Sequence, residues 1–147
     1  METDPLDAQS ALDAAAAAER RTAQIVTSTP WYAPWYGITC AGFPVAIALI
    51  ATRTPIGFAV LVLCLASLAL LVATYNKATG VWPSGRGMLT HTIVGVVVLF
   101  GMAITGYVVA STYGVGWWLV AIALVTAVTM TLLSRAYDAA YARKHGV

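Results

Sequence analysis

Carboxylates are missing from most of this chain. Residues 20–137 contain no Asp or Glu; the six acids are Glu2, Asp4, Asp7, Asp13, Glu19 and Asp138. Ionisable groups inside a membrane segment are the usual mark of transport, proton relay or catalysis, because placing them there is costly. Their absence argues against a proton-coupled exporter and against a carboxylate-bridged di-iron centre. Cysteine and histidine are equally scarce, two of each. Nothing has the spacing of a metal cluster, a nucleophile with its base, or a phosphate-binding loop. No cofactor, metal or catalytic residue is therefore expected, nor any enzymatic activity. Charge of either sign is low, 10 % of residues against about a quarter in soluble domains. The net charge of +2 gives no reason to expect a nucleic-acid partner.

What fills the chain instead is apolar sequence, 60 % of its 147 residues. Four runs stand out, about 35–52, 55–75, 88–110 and 115–133, with almost no charge inside them. A helix crosses a hydrocarbon core of about 30 Å with roughly 17–25 residues. Backbone groups in that core must be satisfied within their own segment, so such runs are helices. The expected fold is an all-α integral membrane protein, four transmembrane helices in an up-down bundle. Three units follow: a cytoplasmic N-terminal helix over 1–28, the membrane domain over 29–134, and a short basic helical tail over 135–147. The first run lies too far from the N-terminus for a cleaved signal, so its retention is expected.

Orientation follows from the cations. Arg20, Arg21, Lys77, Arg86, Arg135, Arg143 and Lys144 fall on one side of the four runs, and Arg53 alone on the other. Positively charged loops stay inside, which predicts a multi-pass inner-membrane protein with both termini cytoplasmic.

Asp4-Pro5 reads as a helix start, with Asp4 as N-cap and Pro5 in the first turn. Residues 8, 11, 15, 18, 22 and 25 keep a 3-4 spacing that would suit a narrow seam for a partner helix. A doubled Pro-Trp-Tyr unit follows, holding Trp31, Tyr32, Trp35 and Tyr36. Such residues anchor a helix at headgroup depth. The sharper alternative is an aromatic cage for a choline-like cation, which needs three or four rings to converge. Pro44 deprives the carbonyl of Cys40 of its helical partner, so a bend or a ligand site is expected there. Cys40 and Cys64 read as small buried residues. Their expected depths differ by roughly 10 Å, too far for a disulfide.

Connection 76–87 reads as a turn-rich loop. His91 is the one titratable side chain placed close to the membrane, at the mouth of the third run. Gly42 with Ala46, Gly106 with Ala110, and Ala123 with Ala127 repeat the spacing that lets membrane helices approach closely. The first reading is an interaction or accessory subunit, self-associating or joining a larger membrane partner through those faces. The second is a small dimeric channel or transporter for a neutral solute, its path lined by Ser67, Thr74, Thr105, Thr126 and Thr129. It lacks the first-span carboxylate that small multidrug exporters carry. The third is a site for a lipid or other hydrophobic ligand near Pro44 and the Trp-Tyr pairs.

Overall fold

A computed structural model describes residues 5–27, 31–79 and 86–144, and all the regular structure in them is helical. Five helices follow one another: α1 (Pro5–Thr27), α2 (Tyr32–Ala51), α3 (Ile56–Thr79), α4 (Arg86–Tyr113) and α5 (Trp118–Lys144). The last four are long and apolar enough to cross a membrane. α1 is described from Pro5 onward; the cap expected of Asp4 lies outside the described residues, as does His145. The seam positions Ala8, Ala11, Ala15 and Ala18 are exposed.

Three of the boundaries have a local cause. Pro34 is the third residue of α2, where an N–H has no intrahelical partner to lose, so the helix begins at Tyr32, three residues before the apolar run expected from 35. α2 ends in a Schellman arrangement. Thr54 N donates to Leu49 O at 2.9 Å and Arg53 N to Ile50 O at 2.9 Å, with Arg53 in the left-handed region at φ 56°. α4 ends at Gly114, φ 73°, whose N–H donates to Ala110 O at 2.9 Å. The connection expected over 76–87 is shorter, because α3 continues through Thr79 and α4 starts at Arg86. α5 likewise runs unbroken through Ser134 and into the residues expected to form a separate tail.

Packing centres on α2, the shortest of the four apolar helices and the most buried. It meets α3, α4 and α5, and α4 also meets α5. Among the described residues no Cα of α3 comes within 8 Å of α4 or α5. The contacts are made by small residues, which let backbones close up where no large side chain intervenes. Gly37 lies against Thr131 and the Ala127 carbonyl of α5, and Gly42 against the Cys64 thiol of α3. Gly106 of α4 lies against Pro44, whose carbonyl oxygen would be 2.8 Å from any added Cβ. Ala46 and Ala48 are fully buried. Leu63, Leu70, Phe100, Ile104, Leu124 and Leu132 point outward and are exposed. The molecule is thus small-residue inside and bulky-apolar outside.

The Gly42–Cys64 contact corrects the expected depth of the cysteines. The turn after α2 is only four residues, so Gly57 faces Ile50 and Cys64 faces Gly42, two residues from Cys40. The offset is roughly 3–5 Å rather than 10 Å, and both thiols are free and buried.

Candidate functional site

The doubled aromatic unit divides by helical geometry. Residues four apart share a face, so Tyr32 and Tyr36 point one way and Trp31 and Trp35 another. The tryptophans are exposed, whereas both tyrosines are half-buried and stack, ring centroids 5.9 Å apart and planes at 16°. Tyr32 also meets Tyr75, near the end of α3, at 4.2 Å. Trp31 packs edge-on against Tyr32 at 6.3 Å.

These tyrosines wall one side of a cavity of about 300 Å³. It lies between the first half of α2, the last turns of α3, the first half of α4 and the second half of α5. Its polar lining is Tyr32, Tyr36, Tyr75, Asn76, Thr92, Ser134, Tyr137 and Asp138. The apolar part is formed by Val72, Gly95, Val96, Leu99, Met130 and Leu133. Asp138 is the one charged side chain among these lining residues. The cavity falls where α3 and α4 stand apart, so the gap between those helices is part of it. About 300 Å³ is the low end of the range for small-molecule sites, which are mainly apolar with a few placed polar groups.

The expected pathway hydroxyls do not meet here. Thr74 and Thr105 are exposed and turn back to their own helices, Thr74 to Leu70 O and Leu71 O at 3.0 and 2.9 Å, Thr105 to Gly101 O at 2.9 Å. Thr126 is fully buried and donates to Ile122 O at 2.7 Å. Ser67 and Thr129 are half-buried, and none of the five lines the cavity. Pro44 is buried against Gly106, and Cys40 is 1 % exposed. The backbone of His91 belongs to α4; its side chain lies outside the described residues.

Gly42, Ala46, Gly106 and Ala110 are turned into the chain's own packing. Ala123 and Ala127 are half-buried, the Ala127 carbonyl lying against Gly37. Beyond Tyr32 and Tyr36, sequence reading missed the site. The available signal was that Asp138 is the sole acid after Glu19, beside a tyrosine, as Asn76 is beside Tyr75. Among the described residues no three His, Cys, Asp or Glu side chains are grouped to hold a metal ion. Comparison of the chain with family models, with curated proteins and with solved structures finds no match in any of the three.

Proposed function

We propose that this chain crosses a membrane four times and holds a small hydrophobic or amphipathic ligand in the cavity. Three features support membrane insertion: four apolar helices of sufficient length, bulky apolar residues turned outward, and small residues at the helix contacts. The cavity is lined by the starts of α2 and α4 and the ends of α3 and α5, as alternating crossings would require. Lys77 and Arg135 flank that end, so it belongs at the cytoplasmic face by the distribution of cations. A cysteine introduced at Thr54 should react with an impermeant maleimide added outside intact cells, and one at Arg143 only after lysis. The reverse pattern would reject the orientation.

The observation that carries ligand binding is the cavity itself, lined by both polar and apolar side chains. Its test is occlusion. A side chain at Gly95 would meet Leu133 Cδ2 at 3.3 Å and Met130 Cε at 3.9 Å. Gly95→Leu should fill the space, and small molecules recovered from the purified wild-type protein by solvent extraction and mass spectrometry should be lost. Identical extracts from both would defeat the reading.

A second reading, the accessory subunit, draws on α3, which among the described residues has α2 as its only apolar helical neighbour. A helix from a partner or a second copy would fill the flank between α3 and α4. Cross-linking from cysteines at Leu63 or Phe100 would trap such a neighbour.

A further inference from the structure

We propose that the polar end of the cavity receives the head of a single-chain organic cation, an alkylammonium whose apolar tail leaves between α3 and α4. This rests on the ligand-binding reading above and names its ligand class. Three observations converge. First, four tyrosines from three helices line one space: Tyr32 and Tyr36 of α2, Tyr75 of α3, Tyr137 of α5. Tyr32 stands at the centre, 5.9 Å from Tyr36 and 4.2 Å from Tyr75. Ring faces carry negative quadrupole density and attract an ammonium placed within about 6 Å.

Second, the charge is of one sign. Asp138 lines the same space, and no Lys, Arg or His does so among the described lining residues. Arg135 and Arg143, on the same helix, are exposed. Among the described lining residues a phosphate or carboxylate head would meet a carboxylate and no cation to hold it. A neutral hydrocarbon would take space beside Asp138 while leaving a half-buried charge without a partner, which is unfavourable. A quaternary ammonium supplies the opposite charge and, having no N–H, requires no acceptor that the rings cannot give.

Third, the apolar part has a direction. Val72 of α3 and Val96 and Leu99 of α4 line the cavity on the two helices that stand apart, and the buried Met130 lines it as well. A cavity of about 300 Å³ holds a trimethylammonium head and a few methylenes, and the rest of one chain follows the gap outward. It is too small to enclose a two-chain lipid.

The test uses the full chain in uncharged maltoside micelles, with tryptophan fluorescence and circular-dichroism melting as readouts. Trp31, edge-on to Tyr32, reports on the cage. The probes are decyltrimethylammonium, its neutral isostere 2,2-dimethyldodecane, and decylphosphocholine. The cation should bind at least about tenfold tighter than the isostere, the scale of a desolvated cation–π contact joined by an ion pair. Asp138→Asn should erase most of that preference, and Asp138→Glu should keep it. Tyr75→Leu and Tyr137→Leu should each weaken the cation by about three- to tenfold and the isostere much less. Thr105→Val, exposed and remote from the cavity, should bind as wild type.

Equal binding of cation and isostere overturns the cationic head while leaving a hydrophobic site. Binding of neither removes the ligand-binding reading as well. Decylphosphocholine binding as tightly as the cation makes a phospholipid head the occupant and overturns the free-cation source. Should Asp138→Asn fail to fold by circular dichroism, Tyr137→Leu decides: an unchanged preference there overturns the proposal.

Discussion

Tyr32 and Tyr75 lie with ring centroids 4.2 Å apart and planes tilted by 38°, tying the first residue of α2 to the end of α3. The two residues are 43 positions apart, and among the described residues α3 has no other apolar helix to lean on. This ring pair is a contact that holds the end of α3 against the start of α2.

Truncating Tyr75 should loosen that end. It is 9 % exposed, and replacing a buried aromatic by alanine costs about 3–5 kcal/mol in ordinary cores. Tyr75→Ala is expected to lower the melting temperature in detergent and to raise amide exchange in the last two turns of α3. Exchange unchanged there would show that the ring pair does not hold the helix.

The α2–α4 crossing allows no side chain at Gly106. An added Cβ would sit 2.8 Å from the Pro44 carbonyl oxygen, a backbone atom that cannot rotate away. Gly106→Ala should destabilise by about 1–3 kcal/mol, the usual cost of overpacking. Gly101→Ala, with open space around the new methyl, serves as the matched control and should be neutral or slightly stabilising through helix propensity.

The two turns with left-handed residues should respond in opposite directions. Arg53 holds φ 56° with a side chain that disfavours it, so Arg53→Gly should relieve roughly 1 kcal/mol of backbone strain. Gly114 holds φ 73°, and Gly114→Ala should cost a similar amount. Reversible unfolding of the two variants in mixed micelles would compare them directly.

Both thiols should be inert in the folded protein. Cys40 is 1 % and Cys64 9 % exposed, and reagents act on accessible thiolates. A membrane-permeant maleimide should leave both unmodified until the protein is unfolded in dodecyl sulfate, when mass spectrometry should show two adducts. Rapid modification of Cys64 in micelles would mean that α3 detaches from α2.

Individual elements were legible because their causes are local. A run such as 55–75, apolar and free of charge, fixes a helix by length and backbone satisfaction alone, and α3 follows it to within a few residues. The split of the Trp-Tyr pairs was not legible. Spacing places Tyr32 with Tyr36 and Trp31 with Trp35, but not which pair turns inward. The depth of Cys64 was misjudged because it depends on how closely the turn at 52–55 lets α3 double back. Asp138 was assigned to a basic tail by its neighbours Arg135 and Arg143, although the continuous α5 carries it beside Tyr137 into the cavity.

Composition and periodicity by themselves determined the helical class, the four apolar segments and the distribution of cations, since these depend on hydropathy and length along one strand of chain. Only the tertiary structure decided that α2 is the hub, that Gly42, Ala46, Gly106 and Ala110 serve contacts within the molecule, and that tyrosines from three helices line one cavity with Asp138. Those outcomes depend on the rotation of each helix about its axis. That rotation is set by which small residues allow the closest backbone approach, a condition between segments that neither segment carries alone.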